Sequence, residues 1–144
     1  MNKIAIFASG SGSNFIAIHN KVVSGYISAE ISILISNNTN CGATKYAKDN
    51  LIPCFIINKE RYPDNNFKDS ILLDILGKHK IDLICLAGYM KLIPKKIVSY
   101  YKNCIMNIHP ALLPDFGGKG FFGKRVHQAV IESKVTETGA TVHF

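Results

Sequence analysis

Lys3-Ile-Ala-Ile-Phe-Ala-Ser9 runs into Gly10-Ser-Gly-Ser-Asn14 and then into Phe15-Ile-Ala-Ile-His-Asn-Lys-Val-Val23. The first stretch is a short apolar run with β-branched and aromatic content, the pattern of a strand buried on both faces. The glycine-serine stretch is a tight turn, and the third reads as a helix that ends near Gly25. Strand, glycine turn and helix in direct succession point to an α/β architecture.

The rest of the chain repeats that alternation. Glu30–Ser36 reads as a second strand, Asn37–Asn40 as the loop after it, and Cys41–Asn50 as a short helix. Pro53–Asn58 is a third strand, entered through a proline at its first position. Phe67, Ile71, Leu72, Ile75 and Leu76 recur at helical spacing and predict a helix over 67–80. Ile81–Ala87 is a fourth strand, and Pro94 starts a helix running to Tyr101. A strand ends at His109, because Pro110 cannot continue a central ladder. A glycine-rich loop over 114–123, a helix over 124–133 and a last strand over 138–144 complete the chain. The expected fold is an open, mostly parallel sheet with helices on both faces, in one domain over 1–144. A chain that stops inside a strand leaves a sheet edge unfinished. The expectation is therefore the N-terminal part of a longer domain, incomplete at its C-terminal end.

Composition narrows the function classes. The chain has 144 residues, 47% hydrophobic and 19% charged, which suits one soluble globular domain. No apolar run reaches the roughly 18 residues of a membrane span, and no leader is visible at Met1, so a cytoplasmic protein with no membrane partner is expected. Cys41, Cys54, Cys85 and Cys104 lack paired spacing and read as reduced core thiols. The formal net charge is +7, but the lysines are scattered, which favours small anionic substrates over nucleic acid. No His/Cys/Asp cluster has metal-ligand spacing, so no metal is expected. An oligomer stays open.

Three stretches carry chemistry. In Gly10-Ser-Gly-Ser-Asn14, free backbone N–H groups at a helix start can hold a phosphate. A dinucleotide fingerprint wants a small residue where Phe15 stands and an acidic one where Asn37 stands; a P-loop wants Gly-Lys-Ser/Thr. The turn therefore suits a monophosphate, or it is only a turn in which Ser13 or Asn14 caps the helix. In Asn107-Ile-His109, alternation along a strand puts amide and imidazole on one face, roughly 6–7 Å apart, at the carboxyl end where α/β sheets bind ligands. The imidazole can move a proton near pH 7 and the amide can donate to an oxyanion. No activated Ser or Cys nucleophile accompanies them, which suits direct attack by a substrate nucleophile on a carbonyl. Leu86-Ala-Gly-Tyr-Met-Lys-Leu-Ile93 leaves a strand and can line a flat heteroaromatic ligand, or is ordinary core and loop. His19 and His79 fall on helices as surface or interface residues, and His127 and His143 have only a weak claim on the site.

Taken together, these stretches resemble the phosphoribosylglycinamide formyltransferases, the folate-dependent enzymes of purine synthesis. The matching segments are Ile6–Asn14, Leu86–Ile93, Met106-Asn-Ile-His-Pro-Ala-Leu-Leu-Pro114 and Gly139-Ala-Thr-Val-His-Phe144. The resemblance implies a Rossmann-like formyltransferase fold and formyl transfer from 10-formyltetrahydrofolate, as co-substrate, to glycinamide ribonucleotide. It implies that Gly12, Ser13 and Asn14 hold the substrate phosphate. Met90, Lys91, Leu92 and Ile93 would line the folate pocket, with Arg61 near its tail. Asn107 would contact the formyl oxygen, and His109 would be the catalytic acid/base. Two departures stand out. Phe116-Gly-Gly-Lys-Gly-Phe-Phe-Gly123 replaces a commoner Pro-Gly-containing loop, and the family's catalytic aspartate falls beyond Phe144. A formyltetrahydrofolate hydrolase and an inactive nucleotide-binding fragment are the alternatives.

Overall fold

The computed structural model describes residues 1–109, 117, 124–134 and 140–144. Its elements follow in the order β1 (Asn2–Phe7), α1 (Ser13–Val23), β2 (Ala29–Ser36), α2 (Gly42–Asp49), β3 (Cys54–Ile56), α3 (Asn65–Lys78), β4 (Leu83–Leu86), α4 (Lys95–Tyr100), β5 (Ile105–His109), α5 (Lys124–Ser133) and β6 (Thr141–His143). The strands form one sheet in the order β3-β2-β1-β4-β5-β6. The five strands from β3 to β5 are parallel, and β6 runs antiparallel to β5. The open, mostly parallel sheet expected from the sequence is thus present. Segment 110–114 and most of the loop over 114–123 lie outside the described residues, as does the start of the predicted last strand. No described helix is long and apolar enough to cross a membrane.

Two apolar layers sandwich the sheet, which is why its strands read as unbroken hydrophobic runs. Ile4, Ile6, Ala8, Ile31 and Leu34 pack with Phe15 of α1 and with Ala43 and Ala47 of α2. Ala5, Phe7, Ile33, Ile35 and Ile84 pack on the other side with Leu72 and Leu76 of α3, Ile97 of α4 and Tyr101. Alternation along β1 therefore feeds both layers. A register shift between Ile4 and Ala5, opposite Ile31 and Ile33, lets β2 do the same.

Helix α3 starts two residues before its predicted position. The Asp64 carboxylate caps it, accepting a hydrogen bond from the Phe67 N–H at 2.8 Å. Phe67, counted in the apolar stripe from spacing alone, is exposed; it sits in the first turn and meets the Tyr62 ring at 6.1 Å. The buried stripe is Leu72 and Leu76.

From β1 the chain moves outward to β2 and β3, then crosses back to place β4 and β5 on β1's other side. The carboxyl ends of β1 and β4 mark this reversal, the crevice where open α/β sheets take ligands.

Candidate active site at the carboxyl edge of the sheet

The register draws a line across the sheet. Ile35 pairs with Phe7, Phe7 with Leu86, Leu86 with Asn107, and Asn107 with His143. The turn after β1, the segment after β4 and the end of β5 all lie just beyond it. Strands β1 and β5 are two spacings apart, roughly 10 Å. The glycine turn and His109 thus share one edge.

Gly12 is the N-cap of α1, in the left-handed conformation at φ 79°, with no side-chain cap bond. Ser13 and Asn14 are helical residues rather than caps, which corrects the capping alternative. Glycine is required at 12 for the dihedral and for space, since a Cβ there would come within 2.9 Å of the Ala43 Cα. The turn is wedged against α2, whose Ala43 N–H donates to the Gly10 carbonyl at 3.0 Å. Among the described residues no side chain caps the first-turn N–H groups of α1, the arrangement that receives an anion.

The segment after β4 is tied to the end of β1. The Ser9 N–H donates to the Gly88 carbonyl at 3.0 Å, and the Met90 N–H donates to Ser9 Oγ at 2.9 Å. Gly88 is left-handed at φ 79°, and Tyr89 sets its ring edge-on to Phe7 with centroids 5.2 Å apart. Burial pushes the Tyr89 phenol up to about 12. Met90, Lys91 and Leu92 are exposed, whereas Ile93 packs against the core layer of α3 and α4. Arg61 is exposed in the turn after β3, where its N–H donates to Asn58 Oδ1 at 2.9 Å. It follows β3, which lies three strand spacings, roughly 14 Å, from β4, the strand that leads to Met90.

Asn107 and His109 stand opposite His143 and Thr141 of β6. Directly opposed residues of an antiparallel pair share a face, so the four form one polar group. Asn107 Nδ2 donates to His143 Nε2 at 3.1 Å. His143 Nδ1 lies 3.4 Å from the Phe144 carbonyl, so the tautomer with its proton on Nδ1 satisfies both contacts. His109 is buried, at 8% exposure.

Residues 2–144 match the family model described as formyl transferase. The chain belongs to the formyl transferase family. It is 45% identical, over 99% of its own length and 49% of the other, to a protein of Arabidopsis thaliana named phosphoribosylglycinamide formyltransferase, chloroplastic. It is 37% identical, over 100% of its length and 66% of the other, to a Haemophilus influenzae phosphoribosylglycinamide formyltransferase. Among solved structures, a glycinamide ribonucleotide transformylase from Geobacillus kaustophilus superimposes with a TM-score of 0.91 at 37% identity, covering 100% of this chain and 74% of that one. The chain spans about half the length of the plant relatives it matches.

The remaining histidines of this formyl transferase divide as follows. His19 Nδ1 meets the Tyr46 hydroxyl at 2.8 Å and joins α1 to α2, while His79 Nδ1 donates to the Ile75 carbonyl at 2.9 Å at the end of α3. His127 is exposed on α5. The cysteines are free. Burial raises the Cys54 and Cys85 thiols, whereas Cys41, packed against the same core layer, is also the N-cap of α2. Burial pushes the Cys41 thiol up, but hydrogen bonds from Thr44, Ser36 and Ala43 outweigh this and lower it.

Sequence reasoning gave His143 little weight, named Asn37 only as the residue replacing a dinucleotide site's acid, and gave Ser9 and Asn58 no role. The period-2 placement of Thr141 and His143 on a last strand was the available signal for the first. Nothing local marks the others.

Proposed function

We propose that this formyl transferase moves a formyl group from 10-formyltetrahydrofolate to the amino group of glycinamide ribonucleotide, a step of purine synthesis. The observation that carries this reading is the shared edge: an uncapped, glycine-built anion turn after β1 and an amide-imidazole pair on β5, two strands away. One grips a phosphate while the other handles a carbonyl.

In this reading Gly12, Ser13 and Asn14 hold the phosphate through backbone N–H groups and the α1 dipole. The exposed Met90, Lys91 and Leu92 line the pterin. Ile93 contributes backbone there, since its side chain packs inward. Arg61 serves the anionic folate tail. The amine attacks the formyl carbon, and the tetrahedral oxyanion is held by Asn107 and protonated His109. One N–H of the Asn107 amide is engaged by His143; the second is free to point at the developing oxyanion. Proton movement through His109 and water then releases tetrahydrofolate.

Thermal denaturation with and without glycinamide ribonucleotide tests the acceptor. A ligand bound only by the folded state adds stability by mass action, about 2.7 kcal/mol at a hundredfold excess over Kd. An upward shift of Tm is expected. An unchanged Tm at saturating ribonucleotide would remove the phosphate turn from the reaction and favour water as acceptor.

A further inference from the structure

We propose that Ser9 is a positioning residue for the folate side of the site, the centre of a hydrogen-bonded relay that holds Met90 and Arg61 in register across four strand ends. The proposal rests on the folate reading given above. Ser9 is buried, at 8% exposure, and all its polar atoms are engaged. Its N–H donates to the Gly88 carbonyl at 3.0 Å, and its carbonyl accepts from Asn38 Nδ2 at 3.4 Å. Its hydroxyl donates to Asn37 Oδ1 and accepts from the Met90 N–H at 2.9 Å. The relay continues outward. Asn58 Nδ2 donates to the Asn37 carbonyl at 3.1 Å, and Asn58 Oδ1 accepts from the Arg61 N–H at 2.9 Å.

Met90–Ser9–Asn37–Asn58–Arg61 therefore crosses the ends of β4, β1, β2 and β3, with a folate-side residue at each terminus. The three central side chains bond to other protein atoms, so they act through Met90 and Arg61. The chemistry at position 9 is demanding, because one small group must donate and accept at once in a buried place. Alanine would leave the Met90 N–H without its acceptor and the Asn37 side-chain amide without its donor, so both neighbours lose the group that places them. Asn37 also stands where a dinucleotide-binding fold keeps its ribose-binding acid. Here its amide oxygen is committed inward to Ser9.

The test compares Ser9→Ala with Ser36→Ala in the chain. Ser36 is fully buried at the end of β2, but among the described residues its hydroxyl bonds to the Asn38 backbone at 3.2 Å and toward Cys41 Sγ at 3.8 Å, and not to Ser9, Met90, Asn37, Asn58 or Arg61. Both variants should lose a similar few degrees of Tm. Only Ser9→Ala should weaken binding of the probe 5-formyltetrahydrofolate, by about fivefold, and speed exchange of the Met90 amide hydrogen. Inorganic phosphate should bind both variants as it binds the parent. Asn58→Ala, nearer solvent, repeats the test without touching the buried serine: probe affinity should drop while the Met90 amide stays protected. Unchanged probe affinity in Ser9→Ala and Asn58→Ala, or an equal loss in Ser36→Ala, overturns the proposal. A parent chain that binds phosphate but not the probe refutes the folate reading itself, and this inference with it.

Discussion

At position 109 the imidazole is buried, and at 107 the amide is half-committed to a neighbouring histidine. These two facts separate their expected contributions. Removing the group that stabilises a developing oxyanion and moves its proton costs on the order of 10²–10³ in rate. In a chain extended to the length of its relatives, His109→Ala should show that loss in single-turnover formyl transfer while phosphate affinity holds; near-normal turnover would take His109 out of the chemistry. His143→Ala removes only the acceptor that orients the Asn107 amide, one neutral hydrogen bond, and should slow the same step by about tenfold. Tyr89 offers a third handle. Its phenol is raised from 10.0 to about 12 by burial, so the fold favours the neutral form. That contribution is complete below pH 10, where the phenol is neutral in both states. It is lost as pH rises from 10 to 12, because the unfolded chain ionises first. Tm should therefore fall across this window, and Tyr89→Phe should flatten the fall relative to the parent. Equal slopes for the two proteins would discard the buried phenol as its cause.

Among the elements, the turn into α1 is the one whose loss is most sharply predicted. Gly12→Ala would hold an L-residue at φ 79° and drive its Cβ to 2.9 Å from the Ala43 Cα. Backbone strain of this kind costs about 1–3 kcal/mol. For a domain of this size that is roughly 2–10 °C of Tm, and phosphate binding should vanish with the displaced turn. An alanine variant that binds phosphate normally would show that the turn is scaffold only. The strands and helices were legible because each is buried on one stripe or both faces, which leaves a periodic mark in local sequence. Direction and capping were less so. Ser13 and Asn14 have ideal capping chemistry, yet left-handed Gly12 takes that position because α2 presses on the turn. Phe67 matched the helical spacing but fell in a first turn that faces Tyr62 rather than the sheet. The antiparallel course of β6 left no trace in three residues. Ser9 was invisible for another reason. Its partners are 28 and 81 residues away, and a tertiary hydrogen bond has no sequence period.

On the proposed reading, the molecule as a whole meets an anionic ligand with a basic body. Lys and Arg number 17 against 10 Asp and Glu, for a formal net charge of +7. The stability of the fold does not lean on those charges, since both core layers are apolar. The Lys45–Asp49 ion pair, at 3.4 Å, is largely exposed, and such pairs contribute little. Affinity for a phosphate-bearing substrate and stability should therefore answer differently to salt. Raising ionic strength from 0.01 M to 0.15 M shortens the screening length from about 30 Å to about 8 Å. Distant lysines then cease to act on an anion at the Gly12 turn, while the N–H groups that touch it still do. Binding of glycinamide ribonucleotide should weaken severalfold across this range and then level off, with Tm of the free protein nearly constant. Affinity indifferent to salt would assign all of the attraction to the turn. A parallel fall in Tm would mean that the charges hold the fold together as well as draw in the ligand.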